Sequence, residues 1–167
     1  MSGKGKVINL EEIIQEKLMQ NYAKYYRLAY SYVRNEADAQ DIVQEGAYKA
    51  ILNSNTLKNK EYADTWIYRI MINEALTYIR KNKIKYMDIE EIQESTTDNY
   101  ADVDLKKAMD TLEPLDKTII ILRFFEDLKL NQIAEITKEN LNTVKTRLYR
   151  ALKKLNVSLS EEGYHNG

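Results

Sequence analysis

The chain has very little material for tight turns, with five glycines and one proline among 167 residues. A sheet protein of this length needs many more turn residues, because glycine and proline supply the backbone angles of most hairpins. Apolar residues instead recur every three or four positions through most of the sequence, which is the period of an amphipathic helix. The predicted fold class is therefore all-α.

Composition removes several classes of functional site. The chain has no cysteine and one histidine, His165, which excludes disulfides, cysteine-based zinc sites, histidine-pair metal sites and Ser-His-Asp triads. The sequence also has no glycine-rich phosphate loop, no secretion signal and no apolar run long enough to span a bilayer. Composition leaves open a magnesium site built on carboxylates alone. Our expectation is a cytoplasmic protein that is not an enzyme and uses no cofactor, metal or small-molecule substrate.

Charge is unevenly distributed along the chain, although the formal net charge is only −1. A basic segment at 80–85 is followed by an acidic one, and 93–99 contains no apolar residue. We predict two small helical domains, at 1–86 and 105–158. An acidic flexible linker at 87–104 joins them, and a frayed tail follows at 159–167.

Helical periods place the elements within the two domains. In the first domain they predict one long helix at 10–34 with Tyr22 in its buried stripe, a second helix that Asn35 caps and that 53–56 ends, and a third at 63–83. Gly46 lies in the second helix, where it costs about 1 kcal/mol relative to alanine, so we expect close helix packing there.

In the second domain the pattern predicts a short lead-in helix at 105–111 and another helix with Pro114 in its first turn. Two further helices are predicted at 130–136 and 142–155. The short connection between them, 137–141, is typical of a helix-turn-helix.

One face of the second helix is acidic and polar, and consists of Asp41, Gln44, Glu45 and Tyr48. This face cannot bind phosphate, so it is either solvated surface or a protein-docking site. Periodicity alone favours solvated surface.

The outer face of the third helix has a different character, with Trp66, Arg69, Asn73, Thr77 and Arg80 at spacings of three and four. An exposed tryptophan beside guanidinium and amide groups suits the capture of unstacked bases, since base–aromatic stacking contributes about 1–3 kcal/mol per base. The alternative is that Trp66 belongs to the core at the start of the helix. A large indole can also pack with one face and expose the other.

The last helix has an outer face without any acid, formed by Thr143, Thr146, Arg147, Arg150, Lys153 and Lys154. Basic and hydroxyl side chains are the donors that phosphates and guanine edges require. This face indicates a major-groove recognition helix capped by Asn140, with Thr143 and Arg147 directed at bases and the others mainly at the DNA backbone. The alternative is an ordinary basic surface helix.

Three stretches resemble the extracytoplasmic-function branch of the bacterial sigma factors, the two-domain promoter-specificity subunits of RNA polymerase. DAQDIVQEGAYKA at 38–50 resembles the family's core-polymerase-binding helix, and TWIYRIMINEALTYIRKNK at 65–83 resembles the helix that melts and reads the minus-10 region. LEPLDKTIIILRFFEDLKLNQIAEITKENLNTVKTRLYRALKKL at 112–155 resembles the minus-35-binding domain. The resemblance covers nearly the whole chain in the expected order.

The resemblance implies a transcription-initiation factor for stress-response genes that binds core RNA polymerase and promoter DNA, both duplex and melted. It also implies control by an anti-sigma factor, often membrane-anchored. The expected polymerase-binding residues are Asp38, Asp41, Gln44, Glu45 and Tyr48, which reverses the preference for solvated surface. The expected minus-10 contacts are Trp66, Arg69, Asn73, Thr77, Arg80 and Lys81, and the expected minus-35 contacts are Thr143, Lys145, Thr146, Arg147, Arg150 and Lys154.

Some residues depart from the family's pattern. Lys138 and Glu139 stand in the turn where the family commonly has a glycine and then an apolar residue, so we expect a longer or more open turn. Lys129 takes the place of a usual capping serine, which weakens that helix start by about 1 kcal/mol.

Two other functions compete with this interpretation: a helix-turn-helix transcription regulator of response-regulator type, and a helical protein-binding adaptor. A response regulator usually begins with an α/β receiver domain, and the first half here shows no alternation of strands and helices. Arg147→Ala distinguishes the adaptor from a DNA-binding factor. A DNA-reading role predicts that this substitution abolishes promoter-specific transcription and leaves polymerase binding intact, whereas equal activity would favour the adaptor.

Overall fold

A computed structural model defines the backbone of residues 9–82 and 100–165, with side chains for 9–82 and 104–157. Every regular element in these residues is helical, which confirms the predicted fold class. The chain divides into two compact units, Met1–Ala75 and Leu76–Gly167. The domain bounds predicted at 86 and 105 stay predictions, because most of the linker lies in 83–99, outside the described residues.

The described residues up to 82 form four α-helices and two short 3-10 turns. In chain order these are α1 (Leu10–Gln20), α2 (Tyr22–Val33), α3 (Glu36–Leu52), the turns Ser54–Thr56 and Lys60–Tyr62, and α4 (Ala63–Lys81). The Asn35 side chain accepts a hydrogen bond from the Asp38 N–H at 2.9 Å, as its predicted capping role requires. This bond satisfies an N–H group that has no partner inside α3.

The prediction of a single helix over 10–34 is wrong, because the chain breaks at Asn21 between α1 and α2. Asn21 has φ −114° and ψ 21°, and both its backbone N–H and its side-chain amide donate to the Lys17 carbonyl at 3.0 Å. These bonds satisfy a carbonyl at the end of α1. Tyr22 is exposed rather than buried, whereas Ile14, Leu18, Tyr25, Ala29 and Val33 are buried as the period predicts.

Helix α3 packs closely on α4 at Gly46. A Cβ atom added to Gly46 would lie 2.5 Å from Met71 Sδ, which confirms the predicted reason for the glycine. Further along α3, the Lys49 ammonium donates to the Glu74 carboxylate of α4 at 2.6 Å. This hydrogen bond is the main cause that raises the pKa of Lys49, and burial opposes it.

The described residues from 100 onward form four more α-helices. These are α5 (Tyr100–Asp110), α6 (Pro114–Ile120), which continues as a π-helical turn (Ile121–Phe125), α7 (Leu130–Thr137) and α8 (Leu141–His165). Pro114 begins α6 as predicted, where its missing N–H costs nothing. The tail predicted to fray from 159 is instead helical as far as His165.

The turn between α7 and α8 is closed, which corrects the expectation of a longer or more open one. Lys138 adopts the left-handed conformation with φ 59° and ψ 33°. The Glu139 N–H donates to the Ala134 carbonyl at 3.0 Å, and the Lys138 N–H donates to the Glu135 carbonyl at 3.4 Å. This is the Schellman pattern, in which glycine usually takes the left-handed position. Lys138 therefore carries the backbone strain that a glycine would avoid.

The start of α7 is capped in an unusual way. Lys129 has no side-chain acceptor, as predicted, but its backbone N–H donates to the Gln132 side chain at 2.9 Å. The Asn131 side chain accepts from the Gln132 N–H at 3.0 Å. These two bonds supply part of what a serine cap would provide.

Candidate functional sites

The acidic face predicted on α3 is exposed in the structure. Asp41, Gln44, Glu45 and Tyr48 all lie at the surface, and Leu52 continues the same row one turn further with 63% of its surface exposed. An exposed tyrosine and leucine beside carboxylates are typical of a protein-docking surface. The prediction missed Leu52, although its position four residues after Tyr48 places it on this face.

Asp38 does not belong to the exposed face, and this corrects its assignment as a docking residue. It lies in the first turn of α3 and is only 4% exposed. Helical spacing brings Asp38 close to the acidic face, but packing of the first unit covers it. The surface is therefore formed by Asp41, Gln44, Glu45, Tyr48 and Leu52, which we call the α3 surface.

The outer face of α4 is graded in exposure. Trp66 and Arg69, near the start of the helix, are half-buried, and Thr77 is also half-buried. Asn73, Arg80 and Lys81 are exposed. Trp66 thus has the intermediate position that the sequence left open, neither in the core nor fully at the surface. The six predicted residues share one side of α4, and its C-terminal end is basic.

The exposed face of α8 is rotated relative to the predicted one. Lys145, Thr146, Arg150 and Lys153 are exposed, whereas Thr143 and Arg147 are half-buried. Tyr149 was not predicted, yet it is 69% exposed between Lys145 and Lys153. Its spacing of four from both lysines is the signal that identifies it.

Arg147 and Arg150 of α8 pair with two acids of the α6 segment. Arg147 Nη1 lies 2.9 Å from Asp116 Oδ1 and 3.2 Å from Glu113 Oε2. Arg150 Nη2 lies 3.3 and 3.1 Å from the two Asp116 carboxylate oxygens. The hydrogen bond with Asp116 raises the pKa of Arg147, with a smaller contribution from Glu113, and desolvation opposes both. The predicted face of α8 contains no acid, and the carboxylates that pair with its arginines come from the α6 segment.

Two further polar contacts fix the ends of the predicted recognition segment. The Asn140 side chain accepts from the Asn142 N–H at 2.7 Å, which confirms its capping role. Lys154 Nζ donates to the Thr111 carbonyl at 2.8 Å, at the connection between α5 and α6. Lys154 is thus held at the flank of the exposed face rather than at its centre.

Within 9–82 and 100–165, no three Asp, Glu or His side chains with defined positions form a group able to hold a metal ion. None of the described helices is sufficiently long and apolar to cross a membrane.

Comparison with known proteins identifies both halves of the chain. Residues 18–84 match sigma-70 region 2, and residues 102–155 match sigma-70 region 4. The RNA polymerase sigma factor SigV of Bacillus subtilis is 53% identical over 142 residues, covering 83% of this chain and 86% of that protein. The chain belongs to the sigma-70 family. The extracytoplasmic-function sigma factor SigW of the same organism is 27% identical over 157 residues, covering 83% and 84% of the two chains, which agrees with the predicted branch.

The fold of this sigma factor also matches two solved complexes. Sigma factor RpoE, bound to the anti-sigma factor NepR from Bartonella quintana, matches with a TM-score of 0.66 at 23% identity, covering 87% of this chain and 96% of that one. CnrH, in complex with the cytosolic domain of CnrY, matches with a TM-score of 0.66 at 16% identity, covering 89% and 88%. At these identities the likeness establishes a shared fold. Family membership disfavours the response-regulator and adaptor interpretations.

Proposed function

We propose that this sigma factor directs core RNA polymerase to promoters with defined minus-35 and minus-10 elements and assists melting of the DNA. The observation that carries the proposal is the 53% identity to SigV over 83% of the chain. The factor would act in the cytoplasm, beside the DNA, and would contribute recognition rather than catalysis or a cofactor.

The α3 surface is the proposed docking site for core polymerase. Its carboxylates and exposed apolar side chains are complementary to a partner surface with basic groups around an apolar patch. Burial of Tyr48 and Leu52 in such an interface would supply most of the binding free energy, because desolvated aromatic and aliphatic anchors dominate protein interfaces. Asp38 is not part of this proposal.

The outer face of α4 is the proposed minus-10 contact. Trp66 and Arg69 present stacking and hydrogen-bonding groups at one end, and Arg80 and Lys81 present cations at the other. A melted strand needs both, since its bases stack on aromatic side chains while its phosphates pair with cations. Asn73 and Thr77 lie between these ends as hydrogen-bonding groups.

The exposed face of α8 is the proposed minus-35 contact, with Lys145, Thr146, Tyr149, Arg150 and Lys153 at its centre. A helix that enters the major groove reads bases with side chains near its N-terminal end and pairs with phosphates along its sides. Thr143, Arg147 and Lys154 flank this face. The net charge of −1 predicts weak binding of the isolated chain to DNA, so polymerase must supply much of the affinity.

An anti-sigma factor is the proposed regulator. One solved structure of the same fold contains a sigma factor bound to the anti-sigma factor NepR, and a second contains CnrH in complex with the cytosolic domain of CnrY. A partner that covered the α3 surface would exclude core polymerase without altering the fold. The family resemblance further implies an inhibitor anchored in the membrane.

The proposal is tested by transcription from sheared genomic DNA with purified core polymerase, with and without this protein. New discrete start sites that share upstream and downstream elements are the expected result. Glu45→Lys reverses a charge on the α3 surface and is expected to abolish these starts. Glu12→Lys, which makes the same charge reversal at an exposed residue of α1, is the matched control. Absence of new starts together with absence of binding to core would reject the proposal.

A further inference from the structure

Asp116 is a buried carboxylate at the centre of the contact between α6 and α8. Its side chain is only 6% exposed, yet it accepts hydrogen bonds from Arg147 and Arg150, one turn apart on α8. A buried carboxylate without cationic partners is strongly unfavourable, because it loses its hydration without compensation. Asp116 therefore needs at least one of these arginines inside the protein.

The two arginines are held differently. Arg147 is 27% exposed and donates from Nη1 to both Asp116 and Glu113, whereas Arg150 is 55% exposed and donates from Nη2 to Asp116 only. Arg150 approaches Glu113 only to 3.8 Å. A guanidinium has five N–H donors in a rigid plane, so Arg150 keeps donors for a second acceptor while one edge is fixed by Asp116.

We propose that Asp116 is a positioning residue of the minus-35 interface. It holds Arg147 as a brace between α8 and α6 that contacts no DNA, and it orients Arg150 so that the remaining guanidinium donors face a phosphate or base edge. This inference rests on the proposed minus-35 role of α8. It changes the role of Arg147, which the sequence directed at bases, and keeps Arg150 as the arginine that contacts DNA.

The first test counts ionic contacts with DNA. Promoter binding by polymerase holding the full-length factor is measured against salt concentration, since each lost phosphate contact reduces the slope of log K against log salt by about 0.9. Lys145→Gln should reduce the slope by about this amount, Arg150→Gln should do so where its donors face a phosphate, and Arg147→Gln should leave the slope unchanged. An Arg147→Gln slope that falls as far as the Lys145→Gln slope overturns the inference.

A double variant keeps the test valid if Arg147→Gln alone fails to fold. Asp116→Asn combined with Arg147→Gln removes the buried charge together with its main partner and leaves two amides able to hydrogen-bond. This double variant should keep the wild-type slope, and on a library with a randomised minus-35 element its base preferences should equal those of Asp116→Asn alone. A preference that differs from Asp116→Asn at a discrete position would show that Arg147 reads a base.

The second test separates positioning from stability. Asp116→Asn alone should reduce discrimination between promoter and non-promoter DNA several-fold, because Arg150 loses its fixed orientation. In an Arg150→Gln background the same change should have no further effect on discrimination. A purely structural role predicts an equal loss in both backgrounds, which would overturn the positioning role. If Lys145→Gln leaves both promoter binding and the salt slope unchanged, the proposed α8 interface itself fails. That result concerns the whole interface, whereas the Arg147 and Asp116 results concern only the roles of single residues within it.

Discussion

Met71 Sδ lies 2.5 Å from the point where a Cβ atom on Gly46 would be placed, so the glycine is a packing requirement of the α3–α4 contact. Gly46→Val should lower the free energy of unfolding by about 1–3 kcal/mol, because Met71 is buried and cannot move aside without disturbing the core. Trp66 is the only tryptophan, so its fluorescence during urea denaturation follows this part of the chain.

The control for the Gly46 variant is Gln40→Val, an equally β-branched replacement at an exposed position of α3. It should change stability by about 0.5 kcal/mol or less, as surface substitutions usually do. Equal effects of the two substitutions would show that the Met71 contact is not what requires glycine at position 46.

The Lys49–Glu74 pair predicts a specific pH dependence. The Glu74 hydrogen bond raises the pKa of Lys49 above 10.5, so stabilisation by the pair is complete below that pH and is lost as pH rises through the folded-state value. Lys49→Met should cost about 1–3 kcal/mol at neutral pH, because Glu74 keeps its burial but loses its ammonium partner. The difference from wild type should shrink above the unfolded-state pKa.

Urea denaturation in steps from about pH 7 to about pH 11.5, followed by Trp66 fluorescence, measures this difference. Lys58→Met removes an ammonium from an exposed loop position and controls for the general effect of charge. Tyrosine ionisation affects all three proteins alike. A constant gap between wild type and Lys49→Met across this range would contradict the assignment.

Lys138 occupies a left-handed backbone position with φ 59°, which costs a non-glycine residue about 1 kcal/mol. Lys138→Gly should therefore stabilise the helix-turn-helix by about 0.5–1 kcal/mol, despite the greater freedom of glycine in the unfolded chain. Native-state hydrogen exchange at the Val144 amide, which donates to the Asn140 carbonyl, reports this local stability.

A control of opposite sign is available in α8. Lys153→Gly places glycine at an exposed position inside the helix and should destabilise it by about 1 kcal/mol. Destabilisation by Lys138→Gly as well would mean that the lysine side chain contributes contacts that outweigh the backbone strain.

The exposed pair Tyr48 and Leu52 should determine affinity for core polymerase. Tyr48→Ser and Leu52→Ser should each weaken binding about tenfold or more, since exposed apolar anchors gain most from burial in an interface. Met19→Ser is the matched control, because Met19 is 81% exposed but lies on a different helix, α1. Fluorescence titration of labelled factor with core polymerase gives the dissociation constants. Equal affinities for all three variants would remove the α3 surface as the docking site.

Local signals in the sequence predicted much of this sigma factor. The caps at Asn35 and Asn140, the proline start of α6, the reason for Gly46 and the exposed face of α3 depend on residues within one or two turns, or on a period that repeats along one helix. Exposure of Lys145, Thr146 and Arg150 follows from the same period. The all-α class follows from the shortage of turn residues.

Contacts between elements distant in sequence decided the rest. Asp116 and Arg147 are 31 residues apart, so no period within α8 reveals that a buried acid holds one face of the helix. Asp38 has the spacing of a surface residue, but packing within its unit buries it, and the Asn21 bonds interrupt an apolar stripe that continues through them. Periodicity reports which way a side chain points from its own helix axis. Only the assembled structure decides what lies opposite it, because that depends on how separate helices pack.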